Sequence, residues 1–290
     1  MKILVLGVTG MLGSAVFHTF SQSDTQVFGT LRDKKYVRYF PEHAHSHLIT
    51  NVDVLDMDSL FKVFELVRPD VVINCVGLIK QLATAKDPLV VLPINAMLPH
   101  RLAKLCALSH ARLIHISTDC VFSGQKGLYL EHDVSDAEDL YGKSKYIGEI
   151  TELPHAITLR TSIIGHELNS NHALLEWFLS QENEVNGFTK AVFSGLPTFE
   201  LARIIRDYVI PHPELSGLYH VAASPINKYD LLALIAEIYG KKIRIIANEQ
   251  LVIDRSLNGE RFKKATSYNA PSWPELIEFM HETSKFYGAK

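Results

Sequence analysis

The sequence predicts an α/β protein, a doubly wound parallel sheet carrying a smaller lobe toward its C-terminal end. Three observations predict this class. Aliphatic, β-branched segments alternate with amphipathic helical segments at βα spacing over roughly the first 160 residues. Runs such as Lys2–Leu6 and Val71–Asn74 are apolar throughout, as strands covered on both faces are. A glycine-rich turn stands between the first strand and the first helix.

The elements follow in order. Lys2 to Leu6 reads as a buried strand, "MLGSAVFHTF" as a helix and "TQVFGT" as the second strand. "DSLFKVFELVRPD" is a helix closed by Arg68 and Pro69, and "VVINCVG" a further strand. A long helix covers "LVVLPINAMLPHRLAKLCALS", where Pro93 and Pro99 predict kinks or an early break. "ARLIHIS" and "HAITLR" are strands, and "DLYGKSKYIGE" between them is a helix. Beyond residue 160 the alternation loosens. A short extended piece precedes a helix from near Thr198, then come strand "GLYHV", helix "NKYDLLALIAEIYG", strand "KKIRIIA" and a final helix with prolines at its start. The expected division is a first domain of residues 1–160 plus about 198–223, and a lobe of residues 161–197 and 224–290.

Composition excludes several function classes. The 290 residues are 47% hydrophobic and 21% charged with net charge -3, so a sizeable core is expected and a nucleic-acid surface is not. The opening run ends at glycine without a cleavage-site pattern, and no apolar stretch is expected to reach membrane-spanning length. Cys75, Cys106 and Cys120 form no C-x-x-C, which favours free thiols in a reducing cytoplasm. His43, His45 and His47 would share one face of a strand. With no carboxylate or cysteine cluster beside them, a loop or edge strand is favoured over a metal site, and no metal is expected.

"GVTGMLG" sets Gly7, Gly10 and Gly13 three residues apart between strand and helix. Glycines there allow a tight turn, close approach of backbone to a pyrophosphate, and tight helix–strand packing, the marks of a Rossmann-type dinucleotide site. The helix N-terminus adds unpaired N–H groups and partial positive charge. An acid ending the second strand would bind a ribose 2′-hydroxyl, whereas an arginine suits a 2′-phosphate. Thr30 ends that strand with Arg32 just beyond, so NADPH with Arg32 as phosphate ligand is favoured, NADH staying open.

Tyr141 and Lys145 lie one helical turn apart and form the chain's sole Y-x-x-x-K. Chance yields about one such match at this composition, so position carries the argument. The pair follows the strand that ends in Ser117 and Thr118, where open α/β sheets bind ligands. A phenol with pKa about 10 is a poor proton donor at neutral pH, and an ammonium one turn away is expected to lower that value. Thr118 supplies a hydroxyl for the substrate oxygen.

The segments "GVTGMLG", "RPDVVINCVG", "ISTDCVFSG", "YGKSK" and "LRTSIIG" resemble the extended short-chain dehydrogenase/reductase superfamily, and within it the dTDP-4-dehydrorhamnose reductase family. "FSGLPTFELARII", "GLYHVAASPINKYDLLALIAEIYG" and "RSLNGERFKKATSY" extend the resemblance over nearly the whole chain. It implies a catalytic set of Thr118, Tyr141 and Lys145. It implies cofactor contacts at Gly7, Gly10, Met11, Leu12 and Gly13, at Asp53 and Val54, at Cys75, Val76 and Gly77, and at Tyr141 and Lys145, with Asn95 ordering the site. Thr118 and Asp119 would touch the sugar. Two positions depart from the family: Cys120 replaces an aromatic residue and Ile163 replaces a tryptophan of the sugar pocket, so the sugar itself stays open. A second acid after the threonine, as the related 4,6-dehydratases carry, is missing because Cys120 holds its place.

The expectation is NADPH-dependent reduction of the 4-keto group of a nucleotide-activated deoxysugar, in deoxysugar and cell-surface polysaccharide biosynthesis, by a cytoplasmic monomer or homodimer. Arg255 and Arg261 are the expected diphosphate partners. The alternatives are a non-catalytic NADP-binding regulatory subunit of another enzyme, as the wider family includes, and a sugar-nucleotide epimerase.

Overall fold

The computed structural model describes residues 1–80, 83–168, 171 and 173–287, and of residues 83 and 84 the backbone alone. Six strands carry the N-terminal half: β1 (Lys2–Leu6), β2 (Gln26–Thr30), β3 (Leu48–Ile49), β4 (Val71–Asn74), β5 (Arg112–Thr118) and β6 (Ala156–Thr161). The strand Gly217–His220 joins β6, giving a seven-stranded sheet ordered β3-β2-β1-β4-β5-β6 and then Gly217–His220. Every pairing in it is parallel. The order reverses between β1 and β4, the point where such sheets open a ligand crevice at their C-terminal ends.

Five helices complete this half: α1 (Met11–Ser21), α2 (Met57–Val67), α3 (Pro88–Leu92), α4 (Leu98–Leu108) and α5 (Leu140–Ile147). Strand residues alternate between two faces, so each strand feeds two cores. Ile3, Val5, Ile73 and Ile114 pack with α1 residues such as Phe17 and Phe20. Leu4, Leu6, Val72 and Leu113 pack with Leu60 and Val63 of α2 and Leu98 and Leu102 of α4. α2 starts at Asp56, whose side chain accepts from the Asp58 N–H, and stops where Arg68 turns left-handed at φ 49°.

Three expectations change. The proline-rich helix does not end early. α3 and α4 are joined by a π-helical turn over Pro93–Met97, in which the Leu98 N–H donates to the Pro93 carbonyl. The wider turn absorbs the prolines, which lack the N–H a regular turn needs. Pro88–Leu108 thus forms 21 helical residues that by length and composition could cross a membrane, contrary to the sequence reading, yet half of the stretch is buried inside the fold. Lastly, the histidines occupy a 3₁₀ helix over Glu42–His47, not a strand. His45 pairs with the Phe40 carbonyl at 2.9 Å while His47 packs on Phe28, so they share no face. Among the described residues no group of three or more His, Cys, Asp and Glu is arranged to hold a metal.

The remaining elements build small sheets beside the large one. Ile163–Ile164 pairs with Leu196–Pro197. Ile226–Asn227 and Ile253–Asp254 flank Ala191–Phe193, and Arg244–Asn248 pairs with Glu184–Phe188. Helices Leu174–Ser180, Thr198–Ile204, Lys228–Ile238, Glu260–Thr266 and Trp273–Glu282 pack around them. The last begins with a capping box between Ser272 and Glu275. Phe193, Leu231, Trp273 and Leu276 belong to the same core as Phe17, so the small sheets share the interior of the large one.

Candidate active site

The glycine turn is built for close approach. Gly7 has φ 82°, a left-handed conformation that costs a side-chain-bearing residue dearly. A Cβ on Gly13 would stand 2.2 Å from the Gly7 carbonyl oxygen, so only glycine lets α1 pack this tightly on the turn. Gly10 is the N-cap of α1, with no side-chain cap and no acid in the first turn, leaving the N–H groups of Met11 and Leu12 at an open, positive helix end. These residues fit a dinucleotide pyrophosphate.

Around the turn lie the other expected contacts. Thr30 uses its hydroxyl to accept from the Gly7 N–H at 3.2 Å, and Arg32 stands exposed two residues beyond the end of β2. The Asp33 carboxylate is engaged by the Lys35 backbone at 2.9 Å and the Lys35 ammonium at 2.8 Å. Asp53 is exposed and caps the Leu55 N–H, with Val54 half-buried beside it. Past β4, Cys75, Val76 and Gly77 form the strand end. Asn95, buried in the π turn, clamps the loop that follows: its side chain accepts from the Leu78 N–H at 2.9 Å and donates to the Leu78 carbonyl at 3.1 Å. The same amide donates to Ser144 of α5 at 3.2 Å, tying that helix to the loop.

α5 is started by Asp139, whose carboxylate accepts from the Gly142 N–H at 2.7 Å. Gly142 packs against the Cys120 carbonyl, where a Cβ would come within 2.2 Å. This seats Tyr141 over the end of β5. Its phenol lies near enough to Thr118 for that hydroxyl to favour the ionised form. Thr118 donates to the Asp119 carboxylate and accepts from the Cys120 N–H, each at 3.1 Å. Lys145 is buried and donates to the Ile116 carbonyl at 2.7 Å.

Electrostatics depart from the simple Tyr–Lys expectation. Burial pushes the Tyr141 phenol above its ordinary value, nearby Cys120, Asp119 and Asp139 push the same way, and the Thr118 hydroxyl opposes them. Lys145 is pushed down to about 8, because burial outweighs the pull of Glu149 and Cys75. Burial raises Asp119, with Arg255 acting against it, and raises the Cys120 thiol to about 12.

Arg255 reaches the site, donating to the Phe122 carbonyl at 2.7 Å with a second guanidinium nitrogen 4.0 Å from the Cys120 sulfur. The guanidinium of Arg261 instead stacks on the Tyr219 ring at 4.7 Å, and no described contact joins it to Arg255. Ile163, half-buried, pairs with Leu196 next to the end of β6.

Sequence reasoning missed two groups. Lys80 pairs with Asp139 and stands 5.5 Å from the Tyr141 ring centroid. Glu149 and Arg160 form a buried ion pair at 2.6 Å beneath the site. For Lys80 no sequence signal existed. Glu149 did carry one, standing one turn beyond Lys145 just as Lys145 stands one turn beyond Tyr141.

A parallel doubly wound sheet, a glycine turn at its first βα junction and a Tyr–Lys helix after β5 together define an extended short-chain dehydrogenase/reductase. The chain belongs to the RmlD substrate binding domain family, whose model matches residues 1–278. It is 28% identical to methionine adenosyltransferase 2 subunit beta of Danio rerio, over 82% of this chain and 74% of that protein. It is 27% identical to the probable low-salt glycan biosynthesis reductase Agl14 of Haloferax volcanii, over 88% of this chain and 86% of that one. The solved dTDP-4-dehydrorhamnose reductase of Bacillus anthracis, in complex with NADP, superposes with a TM-score of 0.79 at 19% identity, covering 98% of this chain and 99% of that structure.

Proposed function

We propose that the protein is an NADPH-dependent reductase of the 4-keto group of a nucleotide-activated deoxysugar. The observation that supports this reading is that the helix bearing Tyr141 and the buried Lys145 is seated against the end of β5, the strand that finishes at Thr118, in a chain whose first turn fits a pyrophosphate. When bound, the nicotinamide supplies the hydride. Thr118 holds the ketone oxygen, Tyr141 gives it a proton, and Lys145 steadies the developing phenolate and grips the nicotinamide ribose. Asp119 and Ile163 contact the sugar, Arg255 and Arg261 the diphosphate, and residues 161–197 with 224–290 form the substrate-binding lobe. The B. anthracis enzyme's NADP and the exposed Arg32 favour NADPH over NADH.

The test is NADPH oxidation with a panel of 4-keto sugar nucleotides. Tyr141→Phe should slow turnover by a factor on the order of 10²–10⁴ while NADPH binding persists. Equal rates in the two proteins would remove the assignment. The likeness to a methionine adenosyltransferase subunit supports a second reading, a cofactor-binding regulatory subunit. Binding of NADPH with no oxidation across the panel, together with co-purification of a partner enzyme, would select it.

A further inference from the structure

One layer below the site, three polar residues cross the sheet in a row. The strand register pairs Ser117 with Arg160 and Arg160 with His220. Glu149, just past the end of α5, sits over this row. Its carboxylate accepts from the Ser117 hydroxyl at 2.7 Å and from the Arg160 guanidinium at 2.7 and 2.6 Å. Arg160 continues to His220 Nε2 at 3.3 Å, and His220 donates from Nδ1 to the Tyr129 carbonyl at 3.0 Å. Glu149 and Arg160 side chains are 3% and 2% exposed. A bidentate pair this deep is expensive to bury, so its place beside the chemistry asks for a reason.

The surroundings of Lys145 supply one. Lys145 donates to the Ile116 carbonyl at 2.7 Å and Glu149 accepts from the hydroxyl of Ser117, the next residue of β5, so ammonium and carboxylate are anchored on consecutive residues of one strand. The groups acting on the ammonium are Glu149, just past the end of α5, Cys75 from the end of β4 and His115 from β5. Burial raises the Cys75 thiol to about 12, which keeps it neutral. Burial and the Lys145 charge hold His115 well below its ordinary value, and its Nδ1 faces the Asn74 amide at 3.1 Å, so it is neutral too. Glu149 is therefore the one formal negative charge acting on Lys145 among the described residues.

We propose that Glu149, held in place by Arg160 and Ser117, is a positioning residue that acts through Lys145, keeping the ammonium charged where it is held against the Ile116 carbonyl. The kinetic part of this inference rests on the reductase reading; the charge relation stands on its own.

The test reads Lys145 directly. In protein labelled with ¹³C at lysine Cε, the Lys145 resonance, assigned by its loss in Lys145→Met, is followed against pH. Glu149→Gln should lower its midpoint by about 1 pH unit or more. That variant leaves a buried arginine unpaired and can fail to fold, so Glu149→Gln/Arg160→Gln is measured alongside. The paired change removes both charges together and leaves neither buried alone, and under this proposal the midpoint still falls, because Glu149 and not Arg160 acts on Lys145. Glu149→Asp, with its charge one methylene further back, gives a smaller shift of the same sign. In turnover, the alkaline limb of kcat/KM moves down by the same amount. A Lys145 midpoint equal to that of the unaltered protein in the paired variant and in Glu149→Asp overturns the proposal. Absence of turnover in the unaltered protein would undo the reductase reading while leaving the titration as a test of this one.

Discussion

Arg32 and Gly13 show how single residues shape the cofactor cleft by opposite means, one by charge and one by lacking a side chain. Arg32 is an exposed cation two residues beyond β2, and Asp33 is already occupied by Lys35. Arg32→Ala should raise KM for NADPH about tenfold or more and leave KM for NADH nearly unchanged, measured by steady-state kinetics with each cofactor. Gly13→Ala places a methyl group 2.2 Å from the Gly7 carbonyl, a backbone atom that cannot swing aside. Thermal unfolding should show a loss of about 1–3 kcal/mol, and NADPH fluorescence titration a weaker complex, because the turn must open to admit it. At this scale the sequence was legible wherever chemistry needs a fixed spacing: the glycines, Thr118, Tyr141 and Lys145. Lys80 was not legible, because its approach to Tyr141 depends on how a loop returns across the cleft. The direction of the Tyr141 shift was misread for a related reason. Spacing reports the nearby cation and is silent about burial, which here dominates.

Among the elements, the helix from Pro88 to Leu108 does more than cover the sheet. Its π turn aims the Asn95 amide at both the loop after β4 and at α5, so the cofactor-side loop and the Tyr–Lys helix share one buried contact. Asn95→Ala should cost about 1–3 kcal/mol of stability, since the Leu78 backbone groups lose their partners. It should also weaken NADPH binding, and hydrogen exchange at Leu78 should rise. Strands and helices of the first half were readable from apolar period and from stops such as Arg68 and Pro69, whereas the caps Asp56 and Asp139 emerged only in the structure. The π turn was not, because a proline announces a missing hydrogen bond without saying whether the helix breaks or widens around it. The histidine-rich stretch misled similarly. Alternation suggested one face, yet Ala44 is buried and a 3₁₀ turn scatters the rings.

For the molecule as a whole, the buried histidines set its response to acid. Burial, with help from Arg160, lowers His220 from 6.5 to about 3, so the folded chain keeps it neutral where the unfolded chain would protonate it. The unfolded state therefore binds the extra proton between these values, and stability should fall as pH drops from about 6.5 toward 3. His115 acts in the same direction. Urea denaturation at pH 7 and pH 4.5 should show this loss, and His220→Gln should flatten it. The small sheets were harder to read than the large one because their strands are two to five residues long and pair across distant segments, leaving little periodicity to detect. The row Ser117, Arg160, His220 has a consequence for how the chain finds its fold. Slipping β6 by one residue would turn Arg160 to the opposite face, among Ile114 and Ile116, with its charge unmatched. The native alignment lets the guanidinium meet its carboxylate and also reach His220, a residue that follows 60 positions later, so a slipped β6 would strand a buried charge.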